Sequence, residues 1–201
     1  MQKMPDKLTE IPVFPLNTNI LPEGLMPLQI FEPRYIDMVK FCMKSNLGFI
    51  VLLAEYKVID DKSNPKFSNL GTYVEIIDFD KLDNGLLGIT VKGRFRTRIL
   101  NSHIQADGLH IGDVEKLSEE NSSELQDQFK NIWQVLKEIS DHPEIKKMKI
   151  EIDFSSSSSV IYNLGSLLPL SSGDKQQILE ASSDIERLQL LDQLIVKFGG
   201  G

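Results

Sequence analysis

Apolar positions come in short runs through the first half of the chain and at helical spacing through the second. Residues 11–16 are apolar but broken by Pro12 and Pro15. Proline cannot donate to a ladder, so the predicted strand belongs at an edge or a bulge. Residues 25–31, with Pro27 inside, read the same way. Residues 49–54 lack polar alternation, which predicts a strand buried on both faces. Residues 73–79 are β-branched and aromatic, and residues 86–91 follow the turn signal Asp83-Asn84-Gly85. Residues 94–100 and 109–114 flank a second turn signal, Asp107-Gly108. Six or seven short strands with turn residues between them predict a small barrel or a folded sheet.

One helix interrupts them. Pro33 suits a first helical turn, Tyr35, Ile36, Val39, Cys42 and Met43 follow at helical spacing, and Ser45-Asn46 with Gly48 marks the stop. Beyond residue 117 the spacing is helical. Ser123 and Gln126 match a capping box ahead of a stripe of Leu125, Phe129, Ile132, Trp133, Leu136 and Ile139, which ends at His142-Pro143. The serine run 155–159 reads as a flexible linker with a helix cap. It precedes Val160, Leu164, Leu167 and Leu168, which Pro169 ends. Ser171 and Asp174 open a short helix holding Ile178 and Leu179. Ser183-Asp184-Ile185-Glu186 caps a last helix lined by Ile185, Leu188, Leu191, Leu194, Ile195 and Phe198. The fold class is α+β, divided into 1–117 (strands) and 118–201 (helices). Helices this short must pack on one another or on a sheet.

Composition narrows the function classes. Of 201 residues 41% are hydrophobic and 25% charged, so the chain can bury a core, and the net charge is −7. Nucleic-acid binding normally requires a basic balance, which disfavours that class. The single cysteine, Cys42, excludes an internal disulfide and any Cys/His zinc spacing, and suits a reducing compartment, here the cytoplasm. No signal peptide precedes the first strand, and the longest apolar run, 49–54, is far short of the roughly 20 residues a membrane helix needs. The tail Gly199-Gly200-Gly201 reads as a helix stop with a loose end or an expression scar.

Catalytic motifs are missing. Gly88-Ile89-Thr90-Val91-Lys92-Gly93-Arg94 has the glycine spacing of a phosphate loop without its Lys-Ser/Thr pair, in strand-like sequence. A dinucleotide fingerprint and a G-x-S-x-G elbow are likewise missing. His103, His110 and His142 read as surface residues, and Cys42 as a buried structural thiol. No metal site or cofactor is expected. The most distinctive charged feature is Lys92, Arg94, Arg96 and Arg98, whose alternation places all four on one strand face. That face is either an anion-binding stripe or a solvated surface with Glu75, Asp78 or Asp80 as cross-strand partners; the overall acidity favours the second.

Three stretches carry a family resemblance: Ile11-Pro12-Val13-Phe14-Pro15-Leu16, then Leu21-Pro22-Glu23-Gly24, then Met26-Pro27-Leu28-Gln29-Ile30-Phe31-Glu32-Pro33-Arg34-Tyr35. Together they resemble the start of the Lon protease N-terminal domain, in particular small stand-alone proteins made of that domain. Gly71-Thr72, Val91-Lys92-Gly93-Arg94-Phe95-Arg96, Leu167-Leu168-Pro169-Leu170, Asp174-Lys175-Gln176-Gln177-Ile178-Leu179-Glu180 and Ile185-Glu186-Arg187-Leu188 match in order. The resemblance implies a PUA-like small β-barrel with one inserted helix, then a helical bundle. It also implies a role in substrate recognition and assembly. With the chain ending at residue 201, the ATPase and peptidase domains of a full Lon protease are expected to be missing. The leading expectation is a non-catalytic binder of unfolded or exposed protein segments, working with a protease or chaperone partner. Its candidate residues are Gln29, Phe31, Glu32, Arg34 and Tyr35. The opposing reading makes Phe31, Tyr35 and Ile36 core, with Glu32 and Arg34 holding a loop. An RNA-binding PUA-like module using Lys92, Arg94, Arg96 and Arg98, and an unrecognised hydrolase, are the alternatives.

Overall fold

A computed structural model of the chain describes residues 5–55, 66–120 and 125–199, divided into two units, Met1–Leu117 and Ser118–Gly201. The expected cap at Ser123 and Gln126, the Phe198 side chain and the tail after Gly199 lie outside the described residues.

The first unit contains β1 (Lys7–Leu16), β2 (Leu25–Ile30), α1 (Pro33–Ser45), β3 (Phe49–Glu55), β4 (Lys66–Lys81), β5 (Leu87–Ile104) and β6 (His110–Lys116). They form one six-stranded sheet ordered β2-β5-β4-β3-β1-β6, and β5 pairs β6 as well. That last pairing closes β1, β3, β4, β5 and β6 into a hydrogen-bonded cycle. The residues predicted as two strands, 86–91 and 94–100, are one strand, β5. Its first part pairs β2 and its last part pairs β6. Gly93 permits this continuity, because a Cβ there would stand 2.2 Å from the Leu21 carbonyl oxygen.

The prolines of β1 find a solution other than a sheet edge. Val13 pairs both β6 and β3, but among the described strands residues 7–12 pair β6 alone and residues 14–16 pair β3 alone, so Pro12 and Pro15 each have a neighbour strand on one side. A bulge between Leu8 and Ile11 accompanies Glu10 at φ 55°. Strand β3 is buried on both faces, as its sequence predicts, and the faces serve different clusters. Phe49 and Val51 join α1's Tyr35, Met38, Val39 and Cys42. Ile50 and Leu52 join Leu8, Val13, Tyr73, Phe95 and Val114, all from strands of the closed cycle. Within that second cluster the Tyr73 and Phe95 rings stack at 4.8 Å. Helix α1 starts at Pro33 and ends at Asn46, which is left-handed at φ 52°. Met38 occupies the buried stripe, whereas Met43 is exposed.

The second unit contains α2 (Leu125–Gln128), α3 (Lys130–Asp141), α4 (Pro143–Lys147), α5 (Ser157–Leu167), α6 (Ser172–Glu180) and α7 (Asp184–Gly199). Ser171 and Asp174 form the expected capping box on α6. At α7 the Glu186 backbone N–H donates to the Ser183 hydroxyl, but the Glu186 carboxylate accepts from Ser182, one residue earlier than the sequence suggests. The serine run is not a linker. Ser156 caps α5, and Ser157 and Ser158 are buried within its first turn. Both hydroxyls donate to the buried Asp184 carboxylate. Asp184 also takes a hydrogen bond from Arg187 Nη1 at 2.6 Å, and Arg187 Nη2 donates to the Ala181 carbonyl at 2.7 Å. Asp184 and Arg187 therefore occupy the inner stripe of α7, and Ile185, predicted there, is exposed.

Candidate functional site

The candidate residues gather at one corner of the first unit. Strand β2 ends at the buried Ile30 and α1 begins at Pro33, so two residues must turn the chain. With Ile30 and Tyr35 drawn into the core on either side, Phe31 points outward and is 65% exposed. Glu32 holds the N-cap position without bonding the helix amides. Its carboxylate instead meets Arg34 Nη2 at 2.6 Å. Arg34 Nη1 donates to the Gly108 carbonyl at 2.8 Å, which fixes the β5–β6 turn, where Gly108 sits at φ 85°. The guanidinium lies 4.7 Å from the Tyr35 ring centroid. Tyr35 is buried and packs on Phe14 at 4.1 Å.

These groups border a cleft of about 650 Å³ that includes Gln29, Phe31, Glu32, Arg34 and Tyr35. The far wall comes from Phe14 on β1, Phe67 on β4 and His110 on β6. The Phe67 and His110 rings meet edge to face at 4.9 Å. Burial, and then the nearby Arg34 charge, push the His110 imidazole below its ordinary range. The cleft is thus an aromatic floor with one exposed aromatic at its rim and one fixed cation. The two opposed readings of the segment divide by residue: Tyr35 is core, Phe31 is not, and Glu32 and Arg34 hold the turn while also lining the cleft. Among the described residues no Ser, Thr, Cys or Lys side chain borders it. His103 and His142 are exposed, and His142 caps α4. Cys42 is buried, and desolvation pushes its thiol up to about 12.

The cationic stripe does not form as predicted. A bulge on β5 at Arg94, opposite the Tyr73–Val74 step of β4, breaks the alternation. Arg96 is buried, 5% exposed. The other three are ion-paired: Lys92 with Glu23 at 2.8 Å, Arg94 with Glu75 at 2.7 Å and Arg98 with Glu115 at 3.6 Å. Among the described residues no cluster of His, Cys, Asp and Glu has the geometry of a metal site, and no helix is long and apolar enough to cross a membrane.

Fold and corner together define a two-unit α+β protein with an aromatic surface cleft on its strand-rich unit. The family profile of the ATP-dependent protease La (LON) substrate-binding domain matches residues 10–197, and the chain belongs to that family. It is 28% identical to the Lon protease of Buchnera aphidicola (subsp. Acyrthosiphon pisum) over 192 residues, covering 90% of this chain and 24% of that protein. It is 29% identical to chicken (Gallus gallus) protein cereblon over 118 residues, covering 57% of this chain and 25% of that protein. The chain thus spans about a quarter of the length of these relatives. Among solved structures, the Lon N-terminal domain protein of Xanthomonas campestris superposes with a TM-score of 0.68 at 29% identity, covering 92% of this chain and 97% of that one. The N-terminal domain of Mycobacterium avium complex Lon protease gives 0.66 at 18% identity, covering 91% and 96%, a likeness of fold.

Proposed function

We propose that this chain is a non-catalytic recognition module that holds exposed or unfolded protein segments in the cleft beside Phe31. The observation that carries this reading is the exposed Phe31 at the rim of a 650 Å³ aromatic cleft whose walls are fixed by Arg34. Membership in a substrate-binding domain family supports it. An apolar side chain of a client would gain burial against Phe31, Phe14 and Phe67 while losing little entropy on the protein side. In this reading the closed strand cycle is a small PUA-like barrel, the second unit is a helical bundle, and the module works in the cytoplasm beside a separate protease or chaperone. The ion pairs at Lys92, Arg94 and Arg98 speak against RNA as the ligand.

The test is crosslinking of the purified chain to an array of unfolded-protein peptides. Capture should concentrate on residues 29–35. Phe31→Ala, at an exposed site, should cut capture by about tenfold and leave the fold intact. Equal capture by the variant, or no enrichment of any peptide, overturns the reading.

A further inference from the structure

The cleft takes in the core face of β2 and reaches Gln29 near its end; the strand's opposite face and its free edge carry a second set of features. Among the described strands β2 is terminal and pairs only with β5. The Gly24 carbonyl accepts from the Gly93 amide, which fixes the direction of every backbone group that follows. The Gly24 carbonyl and the N–H and C=O of Met26, Leu28 and Ile30 turn toward β5, whereas the Gly24 N–H donates to the Leu21 carbonyl and the backbone groups of Leu25, Pro27 and Gln29 turn outward. Pro27 therefore lacks its N–H at a position where β5 does not need it. The outer edge offers three acceptors (Leu25, Pro27, Gln29) and two donors (Leu25, Gln29).

Side chains divide by face. Met26, Leu28 and Ile30 pack toward the core and the Phe31 cleft. Pro27 and Gln29 lie on the opposite face, in two cross-strand rows: Pro27, Thr90, Asp78 and Gln29, Gly88, Asp80. These rows line a second pocket, of about 360 Å³. Gly88 and Leu82 give it an apolar floor, and Asp78 and Asp80 stand at its far side. Neither aspartate has an ion-pair partner among the described residues, and no basic side chain lines the pocket.

We propose that β2 is extended by an added strand from a partner protein in which apolar residues alternate with arginine. This rests on the cleft reading above. An added strand sends successive side chains to opposite faces. Its apolar residues enter the Phe31 cleft, and its alternate residues cross Pro27 and Gly88 toward Asp78 and Asp80. An added strand would stand three strand spacings from β4, about 14 Å. A cation leaning across Pro27 and Gly88 shortens that gap toward the facing aspartates, and arginine, with the longest reach and a planar fork that suits two carboxylates better than an ammonium does, shortens it most. A second copy of this chain is a poorer occupant, because its own β2, Leu25–Ile30, has no basic residue to offer.

The test uses fluorescence anisotropy of the full chain with labelled decapeptides. One alternates leucine and arginine, one alternates leucine and lysine, one has the arginines in a block, and one is the alternating arginine peptide N-methylated at every second residue, in both phases. The alternating arginine peptide should bind about tenfold more tightly than the lysine and block peptides. Asp78→Asn with Asp80→Asn should erase that preference, and one phase of N-methylation, the one facing β2, should abolish binding. If all peptides bind alike and still lose affinity with Phe31→Ala, strand addition is wrong and the cleft reading survives. If none binds, both fall. A concentration-dependent dimer in sedimentation that excludes the peptides also overturns strand addition in favour of self-pairing.

Discussion

Arg34 and Arg187 stand in different units and make nearly the same bonds. Each meets a carboxylate at 2.6 Å, Glu32 for one and Asp184 for the other. Each donates to a backbone carbonyl, Gly108 at 2.8 Å or Ala181 at 2.7 Å, and each has a buried Nε without a hydrogen-bond partner. They differ in surroundings. The Arg34 side chain is 31% exposed at the lip of a cleft, and Arg187 is 1% exposed, with Glu119 as a further carboxylate at 3.5 Å. The same bonding pattern thus locks a core in one unit and holds the wall of an open cleft in the other. Bond count alone does not distinguish an arginine that locks a core from one that borders a cleft; solvent access does.

The contrast breaks most readily at Arg187. Arg187→Ala leaves Asp184 buried with its main counter-charge gone, which should cost about 3–5 kcal/mol. Urea unfolding followed through Trp133, the only tryptophan and part of the helical unit, should show it. Replacing Asp184 and Arg187 together by leucine should recover most of that loss, because the pair's desolvation cost goes with it. A cost below about 1 kcal/mol for the single change would erase the distinction drawn above. Arg34→Ala should cost less, about 1–2 kcal/mol, since water replaces part of what is lost. Its larger effect should be on peptide capture, as the cleft wall loosens.

The smallest expected effect lies at His110. Its folded value is held below the ordinary 6.5 by desolvation and then by Arg34. The folded chain therefore binds this proton less readily than the unfolded chain. The stability tied to neutral His110 is complete above pH 6.5 and is lost as pH falls from 6.5 toward the lower folded value. Arg34→Gln should move the imidazole back toward 6.5 in an NMR titration. An unmoved titration would show that burial alone sets it, and would remove the electrical link between the two walls of the cleft.

Sequence reading succeeded where the signals are local. Pro33 and Asn46 bound α1, Ser171 and Asp174 cap α6, and the unalternating run in β3 marks a strand with two buried faces; each is decided within a few residues. The residues from Gln29 to Tyr35 form one continuous motif, and the fold keeps them at one corner beside the cleft. Phe67 and His110 were not, because strand pairings bring them there from elsewhere in the chain. Arg96 was misplaced because alternation assumes an unbroken ladder, and the bulge at Arg94 shows only in the pairing with Tyr73 and Val74 of the partner strand. Asp184 and Arg187 were read past in favour of Ile185, since a hydrophobic stripe is sought among hydrophobic residues. The serines whose hydroxyls donate to Asp184 in the core lie 26 and 27 positions before it.

The pairing of β1 with β6 sets an order of events during synthesis. Lys7 stands opposite Glu115, and Val13 opposite His110. On a ribosome adding about 5–20 residues per second, the first strand waits on the order of ten seconds for its last partner to emerge. Throughout that interval the edge of β1 that β6 will cover, with Ile11 and Val13 on it, stays open to other chains. Nascent molecules are accordingly most prone to wrong pairing just before residue 116 clears the exit tunnel, and a slowed ribosome lengthens the risk.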